Sequence, residues 1–231
     1  MALRAITPLT DRRLTCLVVG KPGIGKTSLL RTVPQDRPAF TVSAESGLLC
    51  VQDLVCSGAV QGVEVDSVED MDEIFRLLRT REYSGRFGTV FIDSLSEISS
   101  ICLESYRRKY PSRSQSYTLW DAYNNHMMAL IKGYRDLQGY DVVMTCLERT
   151  ELDEVKRREI LPAMASQRTR ADVLALFDEI FYMTDVRGND NKPVRAFMTR
   201  PFDGLPGKDR SGRLDPIEKP DLAWVKAKIF G

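Results

Sequence analysis

The chain holds a single histidine, His126, and no two cysteines spaced as CxxC, so a structural zinc site lacks the nitrogen and sulfur ligands it needs. Its five cysteines (Cys16, Cys50, Cys56, Cys102, Cys146) are odd in number and scattered, mostly inside apolar runs. They read as free thiols and not as a disulfide framework. No run of about 18 apolar residues is present to span a bilayer, and residues 1–10 lack the apolar stretch of a secretory signal. The expectation is a soluble, cytoplasmic protein with no membrane partner. Low-complexity segments and repeats are missing too. With 43% hydrophobic and 28% charged residues, the 231-residue chain suits one globular domain and not a disordered one.

Net charge is equally scarce, since 33 basic side chains against 32 acidic ones leave +1. The imbalance is local. Residues 105–120 hold four basic side chains and no acid, residues 149–170 six against four, and residues 187–213 seven against three. If these segments share one side of the fold, they suit a polyanion better than the neutral total suggests.

Residues 14–19 (LTCLVV) form an unbroken apolar run ending at Gly20, the pattern of a strand buried on both faces, and a helix should open at Lys26. Further strands are expected at 38–42 and 62–65. Ser67 and Asp70 make a capping pair for a helix with acids at 69, 70, 72 and 73, Arg76 and Arg79 in its last turn, and a core stripe of Val68, Met71, Ile74, Phe75 and Leu78. Residues 89–92 read as strand, 95–109 as a helix broken at Pro111, and 119–137 as a helix whose apolar face runs from Trp120 to Leu137. Residues 141–147 (DVVMTCL) are strand again, followed by a charged loop and a helix near 171–177. Strands at 179–184 and 194–199 flank the turn 187–192, and a short helix is expected over 221–229. The alternation predicts an α/β fold, a mostly parallel central sheet flanked by helices with a C-terminal β-hairpin. The core covers about 14–213, and 214–231 form a tail.

The strongest motif is GKPGIGKT at residues 20–27, a complete G-x-x-x-x-G-K-[ST] phosphate loop placed after a strand and before a helix. Its glycines let backbone N–H groups turn toward phosphate oxygens, with the positive helix end behind them. Gly20, Pro22, Gly23, Ile24, Gly25, Lys26, Thr27 and Ser28 are the candidate nucleotide contacts, with Lys26 on the β- and γ-phosphates and Thr27 on Mg²⁺. The second element of such a site is a carboxylate at the end of a neighbouring apolar strand that holds the Mg²⁺ shell, and TVFID supplies Asp93. The next residue is Ser94 where many ATPases carry a water-polarising glutamate. Glu45, just past the second strand in FTVSAE, is the candidate base instead.

Taken together, GKPGIGKT, the glutamate of SAES and the Asp-Ser pair of FIDS resemble the RecA-type ATPase core over about residues 14–213. The chain is similar in particular to the short phage-encoded RecA-core ATPases of the Sak type, which are linked to single-strand annealing and recombination. The resemblance implies a RecA-like P-loop NTPase core that uses ATP and Mg²⁺ and hydrolyses ATP to ADP and phosphate. It also implies single-stranded DNA as partner, a homo-oligomeric ring or filament with ATP at the subunit interfaces, and a single-strand-binding protein as a further partner. KDRSG at 208–212 resembles the K-x-R-x-G signature, in which Lys208 and Arg210 would reach the neighbouring subunit's γ-phosphate.

The family's first DNA loop corresponds to residues 107–118, where Arg107, Arg108, Lys109 and Arg113 are interleaved with tyrosines. Its second corresponds to 148–170, with Lys156, Arg157, Arg158, Arg168 and Arg170. One departure is the sensor position, which reads TCLER and offers Thr145 and Glu148 where the family often has glutamine. Asp93-Ser94 disfavours a protein-remodelling AAA+ machine. The competing functions are a nucleotide-gated scaffold or helicase-loader-like assembly protein with little DNA-stimulated turnover, and a small-molecule kinase.

Overall fold

Strand β1 (Thr15–Gly20) splits its side chains between two layers, as a strand covered on both faces must. Leu17 and Val19 enter one core, and Cys16 and Val18 the other. The computed structural model describes residues 13–112, 116–152, 156–188 and 191–231. After β1 the chain passes through the phosphate loop into a 3-10 helix (Thr27–Thr32), then β2 (Ala39–Ser43), a second 3-10 turn (Leu48–Val51), α1 (Gln52–Ser57) and β3 (Val60–Glu64). There follow α2 (Val68–Leu78), α3 (Arg81–Arg86), β4 (Thr89–Asp93), α4 (Leu95–Lys109) and α5 (Ser116–Arg135). The remainder is β5 (Asp141–Leu152), β6 (Arg158–Pro162), α6 (Gln167–Leu176), β7 (Glu179–Arg187), β8 (Pro193–Met198), β9 (Lys208–Asp209), β10 (Ile217–Glu218) and α7 (Leu222–Phe230).

The sheet order is β10-β8-β7-β1-β5-β4-β2-β3, with β6 added to β5 and β9 to β7. Strands β1 to β5 and β7 are parallel, while β6, β8, β9 and β10 pair antiparallel. The predicted mostly parallel α/β fold is therefore present. Met71, Ile74 and Leu78 of α2, Leu95 and Ile98 of α4 and Tyr123, Met127 and Ile131 of α5 cover one face. Leu29 and Leu30 of the 3-10 helix and Leu222, Val225 and Ile229 of α7 cover the other. Fully burying one such side chain contributes about 1.5–3 kcal/mol. The short helix expected near the C-terminus is α7, which closes the second core, and its Lys226 pairs with the buried Asp141 at 2.7 Å.

Helix α2 starts as its sequence signature requires. The Ser67 hydroxyl accepts from the Asp70 N–H at 3.2 Å, and the Asp70 carboxylate accepts from the Ser67 N–H at 3.1 Å. Elsewhere the structure departs from the sequence reading. The helix after the phosphate loop is only a six-residue 3-10 turn, since Pro34 holds Val33 in the extended region (ψ 152). The charged loop expected from 148 is instead a hairpin, because β5 runs on to Leu152 and pairs with β6, Glu148 opposite Pro162 and Leu152 opposite Arg158. Helix α6 begins earlier than expected, at Gln167.

Register fixes which ends meet. Gly20 is level with Leu147 of β5 and Met183 of β7. Residues 148–152 and 184–187 therefore continue past the phosphate-loop edge of the sheet, and each is paired with an antiparallel partner strand.

Candidate nucleotide site

Parallel pairing places the ends of β1, β2 and β4 together, with Ser43 opposite Asp93. The N–H of Ala44 donates to the Asp93 carbonyl at 2.8 Å, which carries Glu45 to the start of α4. There the Ser94 hydroxyl donates to the Glu45 carboxylate. Ser94 is fully buried, so the contact holds Glu45 in one orientation at the edge of the site. The residue that replaced the expected glutamate thus positions the glutamate supplied by the neighbouring strand.

Asp93 is 3% exposed and accepts two hydroxyl hydrogen bonds, from Thr27 to Oδ2 at 2.5 Å and from Thr145 to Oδ1 at 2.5 Å. Ionised acceptors give short bonds roughly twice as strong as neutral ones. Thr145, one of two sensor candidates, therefore touches the carboxylate directly. Glu148, the other, accepts from the Tyr182 hydroxyl at 2.7 Å, and that burial and contact push the tyrosine's pKa up.

Lys26 is 7% exposed, and its ammonium donates to the carbonyls of Gly20 at 2.9 Å and Lys21 at 2.8 Å. Burial lowers its pKa from the usual lysine value, and the charges of Asp93 and Glu45 oppose that shift. Gly25 has φ +102°, a backbone conformation that a residue with a side chain rarely adopts. The hydroxyl of Thr27 and the carboxylate of Asp93 are the hard oxygen donors Mg²⁺ prefers. Among the described residues no group of three or more His, Cys, Asp or Glu side chains forms a cation cage. That donor set fits an ion completed by phosphate oxygens and water, the usual manner of holding Mg²⁺.

Lys208 and Arg210 lie elsewhere. Lys208 pairs with Ile180 and Asp209 with Glu179, at the start of β7, whereas the phosphate loop is level with Met183. Three to four residues of strand separate the two levels, about 10–13 Å. Arg210 donates to Asp178 at 2.5 Å and Lys208 to the Leu174 carbonyl at 3.3 Å, with burial and then Arg210 lowering the lysine's pKa. Neither meets the phosphate loop of its own chain.

The basic candidates divide. Arg107, Arg108 and Lys109 form the last turn of α4 and not a loop, where cations complement the helix dipole. Arg107 pairs with Glu104 at 2.6 Å, and Lys109 stands 6.0 and 5.8 Å from the Tyr106 and Tyr110 ring centres. Arg113 lies outside the described residues. Lys156 and Arg157 sit at the tip of the β5–β6 hairpin and Arg158 opens β6, all three exposed. Arg168, on α6, pairs with Asp172 at 3.5 Å. Arg170 does not belong with the exposed cations. It is 8% exposed, donates to the Met164 carbonyl at 2.7 Å and pairs with Glu151, so it ties α6 to β5.

Arg195 of β8, which no local motif marks, lies against Gly25. In the sequence it is one cation of the basic segment 187–213, and the β7–β8 register that brings it beside the loop depends on pairing between distant strands.

A phosphate loop with a paired threonine and aspartate at the open edge of a parallel sheet defines a P-loop nucleotide-binding domain. A family model described as an AAA domain matches residues 12–211, and the chain belongs to this family of P-loop ATPase domains. No curated protein matches the chain. Among the described residues no helix is long and apolar enough to cross a membrane.

Proposed function

We propose that the protein is a Mg²⁺-dependent ATPase that hydrolyses ATP to ADP and phosphate while holding single-stranded DNA, as a homo-oligomeric ring or filament acting in recombination or annealing. The observation carrying the hydrolytic half is the joined pair of contacts at Asp93-Ser94: Asp93 is held by Thr27 and Thr145, and Glu45 by Ser94.

In this reading Lys26 and the backbone of residues 20–28 bind the phosphates, and Thr27 and Asp93 hold Mg²⁺. The ion would neutralise charge on the β- and γ-phosphates. Glu45 accepts a hydrogen bond from the attacking water and takes its proton as the water oxygen bonds to Pγ and the bond from Pγ to the leaving ADP oxygen breaks. Thr145, bonded to Asp93, relays the state of that carboxylate into β5. The same strand continues into the hairpin that carries Lys156, Arg157 and Arg158. This continuity supports coupling between nucleotide and DNA, and a single-strand-binding protein is a fitting further partner. Lys208 and Arg210, remote from their own phosphate loop, would act on a neighbouring subunit.

Steady-state phosphate release with and without single-stranded DNA, for the native protein and Lys26→Ala, tests the reading. Turnover stimulated by DNA and abolished in the variant is expected. Native-like turnover in Lys26→Ala would remove the hydrolytic site. Turnover indifferent to DNA, with no DNA bound, would remove the DNA half.

A further inference from the structure

The phosphate loop has a cation against it that its own motif does not contain. Gly20 is level with Met183 of β7, and two residues further along the same strand Asp185 pairs with Arg195 of β8. The β7–β8 hairpin therefore stands directly beside the loop and rises past it. From β8 the Arg195 side chain reaches over the loop at Gly25. A β-carbon built on Gly25 would stand 2.6 Å from Nη1 of Arg195 and 3.2 Å from its Cζ. The guanidinium takes the space that a side chain at position 25 would need.

Among the described residues this guanidinium is unpaired: no acceptor takes a hydrogen bond from Arg195 and no carboxylate pairs with it, whereas Arg31, Arg135, Arg170 and Arg210 each hold an acid. Five N–H donors in a planar fork, set against the turn whose backbone cradles phosphate, match phosphate oxygens in charge and shape. Lys26 serves the same loop from within it, its buried ammonium donating to the Gly20 and Lys21 carbonyls.

Resting on the reading of residues 20–27 as a nucleotide site, we propose that Arg195 is a phosphate ligand of the bound nucleoside di- or triphosphate, supplied by the β7–β8 hairpin of the same chain. Engaging it ties that hairpin to the phosphate loop, so nucleotide binding restrains the strand ends at 184–187 and 194–196.

The test is binding of fluorescent ATP and ADP analogues to the native protein, Arg195→Ala, Arg195→Lys and Lys26→Ala. It is joined by hydrogen exchange at the amides of residues 184–187 and 194–196 with and without ATP. Losing a charge-assisted contact should weaken both nucleotides about 10- to 100-fold in Arg195→Ala, with partial recovery in Arg195→Lys. ATP should slow hairpin exchange in the native protein and not in Arg195→Ala. Arg195 is exposed on a strand end, and unchanged circular dichroism of the variant checks the fold. Arg195→Ala binding within twofold of native, while Lys26→Ala loses binding, overturns the assignment of Arg195 alone. Native affinity in Lys26→Ala overturns the nucleotide site and this inference with it.

Discussion

The Thr27 hydroxyl donates to Asp93 Oδ2 at 2.5 Å across 66 residues of chain. The contact joins the start of the 3-10 helix after β1 to the end of β4, strands separated in the sheet by β5. Through β5, Thr145 holds the second oxygen of the same carboxylate. Three consecutive strands of the sheet therefore converge on one buried acid.

Glu45 is expected to carry the water-activating role. Glu45→Gln keeps the shape and the contact with Ser94 but loses basicity, so hydrolysis should fall about 10²- to 10⁴-fold while ATP affinity stays near native. Ser94→Ala should produce a smaller loss, because it frees the carboxylate without removing it. Single-turnover hydrolysis alongside equilibrium binding separates the two effects. If Glu45→Gln turns over normally, the base is another carboxylate, with Glu97 and Glu148 next in line.

The basic hairpin and Arg170 should respond differently to neutralisation. Replacing Lys156, Arg157 and Arg158 with alanine should flatten the dependence of DNA affinity on salt, since each phosphate contact adds about 0.7 to that slope for single strands. Arg170→Ala should leave the slope alone and lower stability by about 1–3 kcal/mol, because the Met164 carbonyl loses its donor and Glu151 keeps only its pairing with Arg149. A salt titration and a urea melt of both proteins decide this. An unchanged slope in the triple variant would move the DNA site to the end of α4, where Arg107, Arg108 and Lys109 lie.

For Lys208 and Arg210, position predicts complementation. Both lie at the start of β7, three to four residues from the level of the phosphate loop, so a direct effect on hydrolysis is expected from another subunit. Lys26→Ala and Arg210→Ala should each be inactive alone and regain part of the activity when mixed, because one keeps a good finger and the other a good pocket. Strictly additive inactivity, with mixed assembly verified by mass, would assign the two residues to binding Asp178 and Leu174 in their own chain.

Glu179 sets a pH dependence. Burial, followed by the nearby Asp209 charge, raises its carboxyl to about 8, far above the 4.3 or so of an unfolded glutamate. An acid raised on folding contributes stability that is fully present below the unfolded value and lost as pH rises through the folded one. The native protein should therefore lose stability between about pH 4.5 and 8, with an upper bound of roughly 4–5 kcal/mol. Glu179→Gln should lack that slope and melt at a higher temperature than the native protein at pH 8–9. Parallel melting profiles of the two proteins across this range would show that Glu179 is ionised in the fold.

Local chemistry wrote much of this protein into its sequence. The apolar run at 14–19, the GKPGIGKT loop, the Ser67–Asp70 cap and the TVFID strand each depend on neighbours within a few residues, so their elements and the roles expected of Lys26, Thr27 and Asp93 could be read directly. Pairing could not. The sequence 148–170 is charged on both sides of a turn, and only antiparallel registry with β6 makes residues 148–152 a continuation of β5 instead of a loop. Arg168 and Arg170 lie two residues apart on α6, and only packing against Met164 and Glu151 buries the second while the first stays in water. Arg195 meets Gly25, 170 residues earlier in the chain, because β7 pairs with β1 on one edge and with β8 on the other. Contacts of that kind are created when distant strands align, and their energy depends on distances that no stretch of sequence contains.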